Sequence, residues 1–168
     1  MTDIENLEEI KSKAEAMTDE NSFQVVSFQL GEEEFGINIF NVKEIINTIQ
    51  MTRVPNAPPF VVGVVNMRGR VIPIVDLYIR FGLSEKTQNK NNNGKVIIFI
   101  EYGNLSVGLL VDGVREVIRI SNSITEPPPA MVSGIHADYI TSIAKLESRL
   151  LILLDIAKIL EVKSEVEV

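Results

Sequence analysis

The feature that most constrains the fold is an internal duplication. The segment RVIPIVDLYIRF (70–81) aligns without a gap on RLLILLDIAKIL (149–160), at a constant offset of 79 that places Asp155 where Asp76 stands. A second set of residues recurs at an offset of 72: Gly31, Gly36, Val42, Glu44 and Ile46 become Gly103, Gly108, Val114, Glu116 and Ile118. Chance alignment of apolar strands rarely reproduces two such sets, so the sequence predicts two similar halves.

The stretch 63–83 carries two apolar runs, a glycine turn and a helix start. Gly69 supplies the positive φ that a tight reversal needs, so the flanking valine-rich runs are predicted to pair as a hairpin with Arg68 near its tip. Asp76 follows the second run directly, and its carboxylate can accept the free N–H groups of a first helical turn. The stretch therefore predicts strand, turn, strand, cap and a short helix that ends before Gly82.

Composition excludes several classes of function. The formal net charge of −7 and the lack of any run of Lys or Arg argue against nucleic-acid binding, which depends on clustered cations. The absence of cysteine excludes disulfides, thiolate metal sites and a cysteine nucleophile, and it fits a reducing compartment. No apolar run approaches the roughly 20 residues of a membrane span, and the acidic N-terminus lacks a signal-peptide pattern. We therefore expect a cytoplasmic protein without direct membrane insertion.

The distribution of apolar and polar residues along the chain predicts one domain, made of two subdomains and flanked by two tails. Residues 1–21 are interpreted as an acidic solvated tail, although their apolar residues at loosely helical spacing leave an amphipathic helix open. Residues 22–161 form the predicted domain, with an asparagine-rich polar linker at 84–94, and 162–168 form the second tail. Many short strands with brief helices favour small barrels, so the predicted fold is mainly β with two β-barrel subdomains.

Three local patterns carry further expectations. Residues 42–46 mix periods, so a short helix and a strand both remain open. Pro73 lies inside an apolar run and predicts an edge strand or a bulge, because proline cannot donate to a ladder. Residues 136–144 and 149–154 are predicted to pair as a hairpin.

Patterns for catalysis and metal binding are missing. His136 is the only histidine, which excludes histidine-rich metal sites, and its apolar neighbours favour a structural role over that of a base. The recurring glycines stand at hairpin positions, where backbone geometry explains them. Asp76 and Asp155 are better explained as helix caps than as a catalytic carboxylate pair. The sequence therefore predicts no cofactor, no metal and no enzymatic activity.

What remains is a surface for recognition. Arg68 at a hairpin tip and the alternating Val42, Glu44 and Ile46 would form a groove in which aliphatic contacts surround an arginine anchor, and such grooves suit protein partners. A solvated turn arginine beside a core strand explains the same residues. A further alternative is a small-molecule-binding or enzymatic β-barrel that uses the cleft between the barrels, with Arg68 as an anion clamp.

Four segments together resemble the CheW family of chemotaxis coupling proteins: 26–45, 52–82, 107–117 and 149–160. The most specific part is GVVNMRGRVIPIVDL, which lies within the second segment. The resemblance covers about four-fifths of the chain. Only Met67, where the family more often has leucine, and the polar linker depart from it, and neither touches a chemically demanding position.

The resemblance implies a non-enzymatic adaptor of two intertwined, five-stranded SH3-like β-barrels with short helices. Such an adaptor couples transmembrane chemoreceptors to the histidine kinase CheA and is recruited from the cytoplasm to receptor arrays at the membrane. In the family, one barrel contacts the kinase's regulatory domain, and a hydrophobic groove between the barrels takes the receptor's helical tip. By position, the N-x-R-G arginine falls on Arg68 and the V-x-E segment on Val42 and Glu44, which associates them with partner binding without saying which partner each contacts.

Overall fold

The computed structural model describes residues 6–16, 21–83, 94–129 and 135–161; the predicted C-terminal tail and the predicted linker, apart from its last residue, lie outside them. The described part of the chain is mainly β, as the sequence predicts. Its strands are β1 Ser22–Leu30, β2 Glu33–Asn38, β3 Val42–Asn47, β4 Val61–Met67, β5 Arg70–Asp76, β6 Val96–Tyr102, β7 Leu105–Val111, β8 Gly113–Ser121, β9 Thr125–Glu126, β10 Ile140–Lys145 and β11 Leu150–Leu154. Its helices are α1 Leu7–Ala16, α2 Leu77–Phe81 and α3 Ile156–Leu160, and 3-10 turns span Ile39–Asn41, Asn122–Ile124 and Ile135–Tyr139.

The described strands form two sheets, which we call barrel A and barrel B. Barrel A has the strand order β8-β1-β2-β11-β10-β9, and barrel B has the order β3-β6-β7-β5-β4. By the offsets found in the sequence, β6, β7 and β8 correspond to β1, β2 and β3, while β10 and β11 correspond to β4 and β5. The five strands of barrel B therefore recur in the same order in barrel A, and each barrel takes strands from both halves of the chain. The predicted fold of two intertwined barrel subdomains is confirmed.

The duplication extends to the parallel strand pairs. In barrel B, β5 sets Ile74 opposite Gly108 of β7, and in barrel A, β11 sets Leu153 opposite Gly36 of β2. A Cβ on Gly108 would lie 2.5 Å from Cδ1 of Ile74, and one on Gly36 would lie 3.1 Å from Cδ2 of Leu153. These two glycines thus leave room for a side chain of the parallel neighbour. Both glycines lie at the predicted hairpin positions, inside the second strand of the β1–β2 and β6–β7 hairpins, and it is this close packing that requires glycine there.

The recurring aspartates cap the two short helices that follow β5 and β11. Asp76 accepts a hydrogen bond from the amide of Tyr78 at 2.9 Å, and Asp155 accepts one from the amide of Lys158 at 3.3 Å. Asp76 is buried, and this burial raises the pKa of its carboxyl above the ordinary value, while the nearby Lys95 acts in the opposite direction. The interpretation of both aspartates as caps is confirmed.

Three clusters of apolar side chains form the core. The largest joins both barrels and includes Phe28 and Ile37 from barrel A with Ile98 and Leu109 from barrel B. The other two clusters each draw on one barrel, with Ile74 among the residues inside barrel B. Each barrel therefore has an interior of its own and shares a larger core with its neighbour, which explains why the two subdomains form one unit.

The N-terminal segment is not a solvated tail throughout. Leu7–Ala16 form α1, and Leu7 is 8% exposed as a member of the shared core. Ile10 packs against the same core, and Ala14 is buried. Spacings of three and four residues put these side chains on one helical face, and burial of that face outweighs the acidic composition. The tail interpretation is wrong for these residues, and the amphipathic helix is the alternative that holds.

Two open points in the first half are decided by strand pairing. Residues 42–46 belong to β3, so the strand alternative holds. Pro73 lies in β5, which is an interior strand, so the edge-strand prediction is wrong. The strand tolerates the proline because its pairing with β7 begins only at the next residue, Ile74. The register irregularity of the β4–β5 pair falls between Val61 and Gly63, not at the proline.

The last predicted hairpin forms with a later start. His136 belongs to the 3-10 turn Ile135–Tyr139, and the strand β10 begins only at Ile140. The carbonyl of Tyr139 accepts a hydrogen bond from the amide of Asp155 at 2.8 Å, and the pairing of β10 with β11 begins directly after this turn. The extended conformation predicted for 136–139 is therefore wrong.

Candidate partner-binding site

The tip of the β4–β5 hairpin is a two-residue turn of Arg68 and Gly69. Met67 pairs with Arg70 across it, and φ is 54° at Arg68 and 82° at Gly69. Positive φ at both central residues corresponds to the type I′ turn, whose twist matches the flanking strands. The amide of Gly69 donates to Oδ1 of Asn66 at 3.0 Å. The predicted hairpin is confirmed, and Arg68 additionally takes a left-handed conformation that costs a residue with a Cβ roughly 1–2 kcal/mol.

The side chain of Arg68 extends from this turn to β3, the edge strand of barrel B that carries Glu44. Its Nη2 lies 2.7 Å from Oε1 of Glu44, and the two side chains are 79% and 28% exposed. Glu44 is held in β3 opposite Phe99 of β6. The structure therefore brings two of the predicted site residues together at one end of barrel B.

The other two predicted residues lie below this surface. Val42 is completely buried in the shared core, so it supports β3 and has no surface of its own to offer a partner. Ile46 is half-buried and packs against the interior of barrel B. An influence of Val42 on binding would act through the position of β3.

A cavity of about 690 Å³ opens beside the Arg68–Glu44 pair. Its polar lining carries Lys43 and Arg70 in addition to this pair, together with Glu101, which contacts both cations. Its other walls come from the first turn of α1 and from apolar side chains of barrel B. The apolar lining consists of Leu7, Ile45, Met67, Ile72, Phe99 and Ile100.

Arg70 is a cation of this cavity that the sequence analysis missed. Its Nη2 donates to Oγ of Ser106 at 3.0 Å, and its Nη1 lies 3.5 Å from Oε1 of Glu101. Lys43 lies 3.7 Å from the second oxygen of the same glutamate. A signal for Arg70 was present, because it begins the repeated segment and aligns with Arg149.

The equivalent end of barrel A is filled by an ion-pair network. Arg149 donates from Nε to Glu34 at 2.7 Å and from Nη2 to Glu116 at 2.7 Å, and Arg115 lies 3.6 Å from Glu34. The hydrogen bond to Glu34 raises the pKa of Arg149 above its usual range. The side chain of Glu34 is 5% exposed and that of Arg149 is 29% exposed, whereas Arg70 is 61% exposed. The duplicated barrel ends have thus diverged, one closed by its arginine and the other open.

A second cavity, of about 320 Å³, lies where α2 meets barrel A. Its lining is almost wholly apolar, with Glu33 as its charged member: Glu33, Phe35, Phe81, Leu83, Tyr139, Ile140, Ile152 and Leu154. Arg80 stands beside it, with its guanidinium carbon 4.4 Å from the ring centroid of Phe60 and 5.1 Å from that of Tyr139. The same arginine donates to the carbonyls of Ile159 and Glu161, so it joins α2 to α3.

The described residues give no geometric basis for metal chemistry. No group of three or more His, Asp or Glu side chains among them is placed to hold an ion. Within the same residues, no helix is long and apolar enough to cross a membrane. The arrangement at the open end of barrel B is instead an exposed, mixed-charge surface around an apolar floor, which can recognise another molecule.

Comparison with known proteins identifies the family. The family model of the CheW-like domain matches residues 24–164. The chemotaxis protein CheW of Treponema pallidum is 39% identical over 88% of this chain and 87% of its own length. CheW of Klebsiella aerogenes is 38% identical over 79% of this chain and 78% of its own length.

A solved structure agrees in fold. The scaffolding protein TtCheW of Thermoanaerobacter tengcongensis superposes with a TM-score of 0.75 and 36% identity, over 83% of this chain and 93% of that one. These matches confirm the prediction of a non-enzymatic chemotaxis adaptor and do not support the alternative of a small-molecule-binding or enzymatic barrel. The chain belongs to the CheW family of chemotaxis proteins.

Proposed function

We propose that this adaptor couples membrane chemoreceptors to the histidine kinase CheA, and that the open end of barrel B is one of its two contact surfaces. In this proposal the partners are the regulatory domain of the kinase and the cytoplasmic tip of the receptors. Binding to receptors would bring the protein to their clusters at the membrane. The names of the relatives, which call them chemotaxis and scaffolding proteins, support the coupling role.

The observation that carries the proposal is the divergence of the duplicated barrel ends. In barrel A the arginine of the repeat is bound by two glutamates, one of them buried. In barrel B the equivalent Arg70 faces a serine, and Arg68 and Glu44 stand at the surface beside a cavity. An end that only needed to be closed would be expected to resemble its duplicate, so exposed charge around an apolar floor favours recognition.

The strain at Arg68 supports the same conclusion. A non-glycine residue at φ 54° is uncommon, and Asn or Gly would fit the turn better. Strained residues persist where the surroundings or a function require them, and Arg68 is held by one exposed ion pair alone among its described contacts. We infer that the guanidinium is retained for an external partner, to which it can donate in a planar, bidentate manner.

The mechanism is scaffolding without chemistry of its own. Two modest interfaces on one rigid body raise the effective concentration of receptor and kinase toward each other. A receptor whose conformations differ in their contacts to this body can then shift the population of active kinase. The shared core that joins the barrels suits this role, because it makes the distance between the two surfaces fixed.

Isothermal titration of the purified chain tests the proposal. The kinase regulatory domain and a receptor cytoplasmic fragment from the same organism are titrated separately at moderate salt. Arg68→Glu is expected to weaken binding of at least one partner by roughly 10-fold or more, the effect of losing a central arginine. Arg119→Glu is the matched control, because Arg119 is also exposed and the substitution makes the same change of charge, but on barrel A, where Arg119 donates to the hydroxyl of Ser22.

A charge swap separates recognition from the internal ion pair. The double variant Arg68→Glu with Glu44→Arg restores opposite charges across the 2.7 Å contact. If the ion pair merely shaped the hairpin, the swap would restore binding, and the proposed role of Arg68 would be wrong. Binding of neither partner by the unmodified chain would remove the coupling function itself.

A further inference from the structure

Helix α1 forms one wall of the cavity at the open end of barrel B. Leu7 enters the shared core and lines the cavity together with Ile45 and Ile100. Glu8 and Glu9 of the first helical turn line it as well, and the charged lining from barrel B consists of the cations Lys43, Arg68 and Arg70 with their partners Glu44 and Glu101. The first turn of the helix therefore borders a mixed-charge surface whose cations are paired within barrel B, so the apolar contact of Leu7 is what holds α1 there.

The attachment of α1 to the barrel is small for the length of chain it orders. The helix has ten residues, and its buried side chains are Leu7 and Ala14, with Ile10 half-buried. Full burial of a leucine contributes roughly 1.5–3 kcal/mol. Fixing the backbone costs roughly 1–2 kcal/mol per residue, which the helical hydrogen bonds offset only in part, and a helix this short is marginal by itself. The docked helix is therefore expected to open far more readily than the barrels unfold.

We propose that α1 is a displaceable cover of the partner-binding end of barrel B, an intramolecular competitor that a partner must move. The inference rests on the proposed function of that end and adds a regulatory step to it. In the closed state Leu7 occupies the apolar floor beside Glu44 and Arg68. In the open state this floor becomes accessible beside cations that are exposed in both states.

The competition has a quantitative form. A partner that binds only the open state shows a dissociation constant raised by the inverse of the open fraction. By linkage, the partner must shift α1 toward the open state by the same factor. A measurement of opening in the free protein therefore predicts the gain in affinity that a variant without a docked helix can reach.

Thiol labelling measures the opening, since the chain has no native cysteine. Ala14→Cys places a thiol on the buried face of α1 by adding one sulfur atom, and Ser12→Cys places one on its exposed face with a nearly isosteric change. The thiol at position 14 is expected to react roughly 10- to 100-fold more slowly than that at position 12, the protection of a segment that opens locally. Adding Leu7→Ala should reduce this protection several-fold while circular dichroism and the thermal midpoint of the barrels stay nearly unchanged.

The partner arm then tests the competition. A saturating amount of the kinase regulatory domain, or of the receptor fragment, should raise the reaction rate at position 14 toward that at position 12. Leu7→Ala should raise the affinity of the same partner by no more than the protection factor that is measured at position 14 before Leu7 is replaced and in the absence of partner. Ser12→Ala, on the exposed face, is the control and should leave the affinity unchanged.

Each other outcome overturns the inference. Reaction at position 14 that proceeds only at the rate of global unfolding would show that α1 is a fixed part of the fold. If a partner binds and the reaction rate at position 14 stays the same or falls, then α1 does not compete with that partner, and the proposed function stands. Absence of binding by the unmodified chain and by Leu7→Ala alike would overturn the proposed function together with the inference.

Discussion

Replacing Arg68 by Asn is expected to make the protein more stable and a poorer binder at the same time. The turn holds Arg68 at φ 54° ahead of Gly69. Asn–Gly is the preferred pair for a two-residue turn with positive φ at both positions, because the short asparagine side chain tolerates the left-handed region. The substitution therefore relieves backbone strain where it removes the guanidinium.

The magnitude follows from two opposing terms. Relief of strain contributes part of the roughly 1–2 kcal/mol that a left-handed residue costs. Loss of the ion pair with Glu44 costs at most about 1 kcal/mol, since surface pairs contribute roughly 0–1 kcal/mol and the arginine is 79% exposed. The net effect is a gain of about 0.5 kcal/mol, which corresponds to a rise of about 1–2 °C in the thermal midpoint for a chain of this size.

Thermal and urea unfolding of the two proteins, with titration of the partners, provide the assay. Arg70→Asn is the matched control, because Arg70 has ordinary strand geometry at the start of β5 and bonds to Ser106 and Glu101. The control variant should lose stability or stay unchanged, since it relieves no strain. A fall of more than about 2 °C in the midpoint of Arg68→Asn would refute the reasoning, because the Glu44 ion pair would then outweigh the strain.

Four further variants test other parts of the structure. Gly108→Ala should lower the free energy of unfolding by roughly 1–3 kcal/mol, because the new Cβ would lie 2.5 Å from the buried side chain of Ile74. Gly36→Ala should lower it clearly less, because its Cβ would lie 3.1 Å from the nearest side chain. Equal losses of the two variants in urea unfolding would contradict this reasoning. Burial raises the pKa of Asp76, so the folded state favours its protonated form and loses that stability as pH rises from the ordinary 3.8 through the raised value. The stability of Asp76→Asn relative to the natural chain should therefore increase across that window and stay constant above it, as urea unfolding at a series of pH values would show. Ser106→Glu offers Arg70 the carboxylate that its counterpart in barrel A has, and calorimetry should detect weaker partner binding with little change in stability.

Much of the fold was predictable because the duplication is preserved in residues that have one physical role each. Asp76 and Asp155 cap equivalent helices, and Gly69 sets the turn between β4 and β5. The offsets also contained the strand correspondence, since Gly36 and Gly108 face the side chains of equivalent parallel neighbours. Parallel pairing itself was not predicted, because alternation of side chains reports on exposure and not on which strand lies alongside.

The parts that sequence reasoning missed depend on tertiary contacts. The acidic composition around α1 favoured a tail. The helix is stabilised by burial of its apolar face, and this depends on the contacts that the shared core provides for Leu7. Val42 was grouped with Glu44 because residues two apart share one face of a regular strand. The register of the β3–β6 pair shifts between these two residues, so Val42 is buried while Glu44 reaches the surface. Arg68 was predicted at a hairpin tip, but its positive φ follows from the two-residue length of the turn, which the sequence did not specify.

The most informative contrast is between the two copies of one arginine. Arg149 has Glu34 within 2.7 Å, while the position equivalent to Glu34 in barrel B is Ser106, which gives Arg70 a hydroxyl at 3.0 Å. A half-buried arginine bound to a buried carboxylate is expensive to desolvate, and leaving that carboxylate unpaired would be costly, so such a network closes a barrel end and does not readily exchange its partner for another. Arg70 is 61% exposed, and its contacts with the hydroxyl of Ser106 and with the exposed carboxylate of Glu101 at 3.5 Å can be exchanged at little cost. The serine in place of a glutamate is therefore one difference that leaves the arginine of the repeat at the surface of barrel B, and it helps to explain why the candidate site occurs at one barrel end although the fold provides two.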